Sequence, residues 1–371
     1  PDAPFSKVVV TQLKHSTLHP DSPMGIPDVG AVLEKFAVLD SSSGRLRGDH
    51  PQAQIQFEIV TNRPIHLDVH EALASIASGE AARPESSAAE DLLGRVKVTR
   101  EAAASLCRRV SVTGKVPSVA ALRPSLDQKV VGFTADPDLR VSAQLIELVA
   151  KRAGTEASGP ILLADVVAAF GARLDDLFPA PNLLEQAPIV VRESYSVLAH
   201  EIMAARSPVA VVSEGGVGKS TFARALPDLL QDRAVVVIYD CFGQGSYRRP
   251  DRPRHRHRDG LVQIASELAG HELGVPILPA TGVQPEEYVK LFVERLTVAG
   301  QLLEQRSGRH LVVVVDAADN AAIAASENAD GRSFARDLLR LGDGLPRNVH
   351  LAITCRPERL GSLDPPAGVQ E

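Results

Sequence analysis

The sequence predicts an α/β chain built on parallel sheets. Three observations carry that expectation. Apolar runs at Val209–Val212, Ala234–Tyr239, Leu311–Val315 and His350–Thr354 are separated by stretches of helical spacing. These runs do not alternate apolar with polar residues, as expected of parallel strands buried on both faces. The first of them opens into a glycine-rich turn and then a helix-forming segment, PVAVVSEGGVGKSTF over residues 208–222.

Residues 1–80 read as strand, helix, strand, helix. Lys7–Lys14 is a β-rich run. Ile26–Leu39 places Val29, Val32, Leu33 and Phe36 at helical spacing. Gln54–Thr61 alternates, with Ile55, Phe57 and Ile59 on one face. Val69–Ser78 has the composition of a helix. Strands joined by helices imply an α/β layer. The small, polar stretch GEAARPESSAAE (79–90) then reads as a linker.

Residues 81–185 read as a helical connector. Asp138–Arg152 carries Leu139, Val141, Leu145, Ile146 and Val149, and Ala164–Leu177 repeats the theme. FPAPNLLEQAP (178–188) is a second proline-rich joint. Residues 186–371 hold the four apolar runs. Between them, Glu286–Glu304 aligns Tyr288, Leu291, Phe292, Leu296 and Leu303 on one helical stripe.

The glycine turn has the composition of an anion cradle. Gly215, Gly216 and Gly218, with Val217 among them, let backbone N–H groups turn inward, because a Cβ would crowd a phosphate. Lys219 would neutralise the β- and γ-phosphates of a nucleotide. Ser220 would ligate Mg²⁺, and Thr221 follows in the helix whose positive end faces the ligand. The first glycine of this P-loop pattern is Ser213 here.

Two further strand ends point to the same chemistry. RHLVVVVDAADN (309–320) places Asp316 after a buried strand, where a carboxylate can hold Mg²⁺ through its water shell. Asp319 lies close enough to help orient an attacking water. The next strand ends in TCRP, so Arg356 points toward the crevice where ligands of such sheets bind. A guanidinium there would read the γ-phosphate. The plainer alternatives are an ordinary strand-to-loop aspartate and an arginine paired with a nearby acid.

GGVGKST, VVVVDAADN and ITCRP, in this order, resemble the signal-transduction STAND ATPases, which include NACHT- and NB-ARC-type proteins. The resemblance implies an ASCE-type sheet over 186–371, with a fifth strand after the arginine-bearing one. It also implies a helical lid, a winged helix and a repeat sensor, which would lie after Glu371. Arg192 in VVRES is similar to the family's nucleotide-contacting arginine; a solvated loop arginine is the alternative. Asn320 stands where the NACHT pattern has a second acid, so a slow switch that holds ATP is expected. The resemblance implies ATP or ADP and Mg²⁺ as ligands and self-association on activation. It further implies a role in bacterial antiphage defence, with a phage or other trigger protein as partner. A plain P-loop kinase fits less well, because no acceptor-site lid or substrate pocket is legible between the motifs.

The segment 239–260 concentrates Arg248, Arg249, Arg252, Arg254, Arg256 and Arg258 with His255 and His257. Pro250 and Pro253 predict an exposed loop, read as a subunit-contact or phosphate-facing segment. A solvated loop and a nucleic-acid patch are the alternatives. The two histidines have no third ligand nearby in sequence.

In KVVVTQLKHS (7–16), Gln12 and Lys14 share one strand face. The pair is similar to the acid-x-Lys pair of PD-(D/E)xK nucleases, in a Gln-x-Lys variant. There the first residue ligates metal and the lysine aids the attacking water. Residues 1–80 therefore look like a partial nuclease effector acting on DNA, whose upstream acids would precede Pro1. A structural α/β domain is the alternative. It would make the protein a nucleotide-gated scaffold or a STAND-type transcription regulator. His15 reads as a polar residue at the strand end.

Composition narrows the classes. A net charge of −6 argues against a general nucleic-acid coat. No run approaches about 18 uninterrupted apolar residues, so no membrane span is expected. PDAPFSK has neither initiator Met nor apolar leader and reads as the start of an excised piece. Cys107, Cys241 and Cys355 are widely spaced and odd in number, which suits a reducing cytoplasm.

Overall fold

A computed structural model describes residues 7–16, 18–42, 52–79, 87–117, 119–134, 140–153, 161–184, 188–249 and 251–366. The chain divides into two compact units, Pro1–Pro124 and Ser125–Glu371. Both are mixed α/β with parallel sheets, as the sequence predicts.

The first unit holds β1 (Lys7–Lys14), α1 (Ile26–Ser41), β2 (Gln54–Thr61), α2 (Leu67–Ser78), α3 (Ser87–Val96), α4 (Arg100–Cys107) and β3 (Val110–Thr113). Its sheet has the order β1-β2-β3. β1 and β2 run parallel from Lys7 opposite Gln54 to Lys14 opposite Thr61. The alternation of β2 does what it promises. Ile55, Phe57 and Ile59 are buried and pack on Val29, Leu33 and Phe36 of α1 and on Val69 of α2. On the other face of β1, Val9 and Leu13 are exposed. α2 stops at Gly79, whose left-handed backbone (φ 69°) lets its N–H reach the Ile76 carbonyl.

The sequence places a joint at 79–90 and a separate helical connector after it. Residues 80–86 lie outside the described residues. From Ser87 onward the chain returns to the first unit's core. α3 contributes Ala89, Leu92 and Val96, and α4 contributes Ala103, Leu106 and Cys107. β3 then pairs with β2, Phe57 opposite Val110 through Val60 opposite Thr113. A strand of four residues shows too few positions for a period to be visible. Only its partner identifies it.

The second unit takes in the end of α5 (Val119–Val131), which contains the dividing Pro124. α6 (Arg140–Ala153), α7 (Leu163–Ala169) and a 3₁₀ turn (Leu174–Leu177) follow. The single helix expected over 164–177 is broken, because Gly171 takes φ 72° just past α7. Then come α8 (Glu193–Ala204), β4 (Val209–Val212), α9 (Lys219–Leu230), β5 (Ala234–Asp240) and α10 (His257–Gly270). The unit finishes with α11 (Pro285–Ser307), β6 (His310–Asp316), α12 (Ala318–Glu327), α13 (Phe334–Leu339), β7 (Val349–Cys355) and a 3₁₀ turn (Pro357–Leu363). Its four strands are parallel, in the order β4-β7-β6-β5.

The unbroken apolar character of β6 has a direct cause. Leu311, Val313 and Val315 enter a core shared with α10 and α11. Val312 and Val314 enter a second core shared with α8 and α9. Helices on both faces remove any polar side. Among the described residues, no helix is long and apolar enough to cross a membrane.

Leu92 tests the membership of α3 in the first unit. It is fully buried in that unit's core. Leu92→Ala should cost about 2–5 kcal/mol of stability, read from denaturant unfolding. A loss under about 0.5 kcal/mol, the scale of a surface change, would place α3 outside that core.

Candidate functional site

All four strands of the second sheet end on the same side, so the groups that follow them meet there. After β4 the chain makes its glycine turn. Gly216 and Gly218 take φ 80° and 103°, conformations that favour glycine. A Cβ on Gly218 would lie 2.9 Å from the Tyr195 hydroxyl. Gly218 is the N-cap of α9, so Lys219, Ser220 and Thr221 form its first turn. Backbone N–H groups there lack intrahelical partners and carry the positive end of the helix dipole.

Across from the turn, Asp316 closes β6 and is almost fully buried. Ser220 Oγ donates to its Oδ2 at 2.6 Å. Thr354 Oγ1, from β7, donates to its Oδ1 at 2.6 Å. Burial, with the nearby Asp240 charge adding to it, raises the Asp316 carboxyl above its ordinary range, and the two hydroxyls oppose that rise.

Ser220 and Asp316 line one cavity of about 440 Å³ together with Gly215, Gly216, Lys219 and Arg356. That volume is typical of a small-molecule site. Lys219 Nζ donates to the Ser213 carbonyl and, at 2.8 Å, to the Glu214 carbonyl. The Arg356 guanidinium carbon lies 3.5 Å from where a Cβ on Gly215 would sit. Asp319 also lines the cavity, and its Oδ2 accepts from Arg359 Nη1 at 3.1 Å.

Arg192 and Val217 are placed differently from the other candidates of the second unit, since neither lines the cavity. Arg192, the N-cap residue of α8, donates from Nη1 to the Val217 carbonyl at 3.0 Å. Tyr195 donates to the Gly218 carbonyl at 3.3 Å. Two side chains from the start of α8 therefore brace the turn from outside.

The donor set fits a nucleotide with Mg²⁺. Free N–H groups, an amine and a guanidinium suit phosphates, while a hydroxyl beside a carboxylate suits a hard cation. Among the described residues, no group of three or more His, Cys, Asp or Glu is arranged to hold a metal. Mg²⁺ at phosphate sites uses one or two carboxylates, substrate oxygens and water, so such a group is not required.

Several residues of the cavity escape the sequence analysis. Asp240 ends β5 directly opposite Asp316. Its Oδ1 accepts from the N–H of Phe242 and of Gly243, both at 2.9 Å, and its Oδ2 from the N–H of Leu183 at 3.3 Å. The signal was available, since an aspartate closes this apolar run as Asp316 closes the other. The joint at 178–188 contributes Leu183 and Leu184 to the cavity wall. Asn182 Nδ2 ties it to the Ile238 carbonyl of β5 at 3.3 Å.

The arginine-rich segment is not the fully exposed loop expected from its prolines. Arg254 is 3% exposed and donates to the carbonyls of Asp240 and Pro181, each at 2.6 Å. His255 Nε2 lies 2.6 Å from Asp330 and His257 Nε2 lies 2.8 Å from Asp337, with both histidines buried. Carbonyls at a buried strand end require donors, and the loop supplies them.

In the first unit, Gln12 and Lys14 stand opposite Ile59 and Thr61 of β2, on the same sheet face. The Gln12 amide donates to the Leu13 carbonyl at 3.1 Å, and Lys14 is exposed. Cys107, Cys241 and Cys355 are all buried.

No protein-family model matches this chain, and no curated protein matches it either.

Asp259, in the first turn of α10, provides a pH signature. Its Oδ2 is buried without a hydrogen-bond partner. Burial pushes its carboxyl up to about 7, against the opposing charges of Arg256 and Arg258. The folded state thus keeps a proton that the unfolded chain releases near pH 4, so this group's contribution makes stability fall from about pH 4 to about pH 7. Asp259→Asn removes that dependence. Its melting temperature relative to the unsubstituted chain should be higher at pH 8 than at pH 5. An equal difference at both pH values would show that Asp259 ionises normally.

Proposed function

We propose that the second unit is a STAND-type P-loop ATPase with an ASCE-type sheet, which binds ATP with Mg²⁺ and hydrolyses it slowly. In this proposal its nucleotide state governs self-association and an effector carried by the first unit. The observation that carries the proposal is the 2.6 Å contact of Ser220 with Asp316 in the cavity onto which the glycine turn opens. The placement of β7, with Arg356 at its end, between β4 and β6 supports the ASCE-type sheet.

Main-chain N–H groups of Gly215–Thr221 hold the phosphates. Lys219 exchanges the Ser213 and Glu214 carbonyls for phosphate oxygens, and Arg356 reads the γ-phosphate. Ser220 and Asp316 hold Mg²⁺, which supplies neutralisation of phosphate charge when bound. Asp319 orients water once freed from Arg359. That constraint, with Asn320 in place of a second acid, fits slow turnover and a switch that holds ATP.

The first unit is proposed as a PD-(D/E)xK-like nuclease effector acting on DNA, with Gln12 and Lys14 in the metal-ligand and water-activating positions. The system belongs to bacterial antiphage defence in the cytoplasm, answering a phage or other trigger protein through the sensor that the resemblance implies. One observation favours a second reading, in which the first unit only recruits partners, as in a scaffold or a transcription regulator. The Gln12 amide is engaged by the neighbouring Leu13 carbonyl.

Lys219→Ala should weaken ATP binding roughly tenfold to hundredfold by calorimetry, the scale of a lost charge-assisted contact. Unchanged affinity refutes the site. For the first unit, plasmid degradation by the full-length protein with Mg²⁺ should be present and should disappear in Lys14→Ala. Cleavage that survives the substitution ends the assignment of Gln12 and Lys14, and none in the unsubstituted full-length protein favours the recruiting role.

A further inference from the structure

We infer that Thr354 is a positioning residue, one that presents a single oxygen of Asp316 to the metal side of the cavity. The inference rests on the nucleotide site proposed above. Thr354 is the penultimate residue of β7, is 1% exposed and lines the cavity. The pairing of β6 with β7 reaches Val315 opposite Ile353, so the next residues of the two strands, Asp316 and Thr354, come together at the sheet's carboxyl edge.

One hydroxyl serves two partners. Thr354 Oγ1 donates to Asp316 Oδ1 at 2.6 Å and accepts from the Ala317 N–H at 2.8 Å. A hydroxyl has one donor and two acceptor positions, so both bonds form without conflict. The first bond occupies one carboxylate oxygen and leaves Oδ2 facing Ser220. The second secures Ala317 in a left-handed conformation, φ 54° and ψ 43°. That conformation is costly for a residue with a Cβ and needs support from its surroundings. It turns the chain away immediately after Asp316 and starts α12.

A role in packing alone does not account for this arrangement. Valine would fill the same space, but it offers neither bond. Hydrogen-bonding partners behind a metal ligand commonly govern metal affinity about 10–100-fold, because they hold the ligand in its binding orientation.

The test measures ATP affinity by calorimetry with and without Mg²⁺ in three proteins. Thr354→Val should weaken binding in the presence of Mg²⁺ about 10–100-fold and leave metal-free affinity unchanged. Thr354→Ser, which keeps the hydroxyl, should restore the Mg²⁺-dependent affinity. A Thr354→Val protein that binds ATP with Mg²⁺ as tightly as the unsubstituted chain would overturn the inference alone. So would an equal loss with and without the metal, since that marks general damage to the fold. If Mg²⁺ does not strengthen ATP binding to the unsubstituted chain, the metal role of Ser220 and Asp316 falls together with the inference.

Discussion

Parallel strands deliver all their carboxyl ends to one edge, and in the second unit two of those ends are buried aspartates side by side. Asp240 and Asp316 are each 1% exposed and directly paired in register. Two neighbouring buried carboxylates are unfavourable unless donors surround them. Much of the local structure answers that constraint. Ser220 and Thr354 serve Asp316, while the N–H groups of Phe242, Gly243 and Leu183 serve Asp240. Arg254 adds a buried positive charge 3.9 Å from Asp240.

The same requirement explains two segments that look like connectors. The proline-rich stretch before α8 is held along β5 and walls the cavity. The arginine-rich loop after β5 is partly interior, with Arg254 bridging the end of β5 to Pro181. Both segments carry the polar groups that a buried strand end needs. Elements that line the cavity and elements that satisfy the backbone are therefore interleaved around one cleft.

The first unit poses a different balance. Its core lies on one face of its sheet, where β2 meets the four helices, and the opposite face of β1 leaves Val9 and Leu13 exposed. Gln12 and Lys14 share the side of Ile59 and Thr61. Their chemistry depends on what stands beside them, and the pair alone does not set it. In the second unit, by contrast, Ser220, Asp316 and Thr354 converge on one another within hydrogen-bonding distance.

Local signals in the sequence determined a good deal. The period of β2, the helical stripes of α1 and α11 and the unbroken apolar strands of the second sheet are each encoded within a dozen or so neighbouring residues, and each is present. The glycine turn is legible for the same reason, since its backbone angles demand glycine in place. Tertiary structure decided what depends on distant partners. β3 is a strand through its pairing with β2, and α3 and α4 belong to the first core through packing against residues distant in sequence. Thr354 gains its significance from an aspartate 38 residues earlier, and Arg254 from a carbonyl 73 residues away. A threonine or arginine carries no local mark of such a partner, because hydrogen bonds across a fold depend on register and packing rather than on neighbouring sequence.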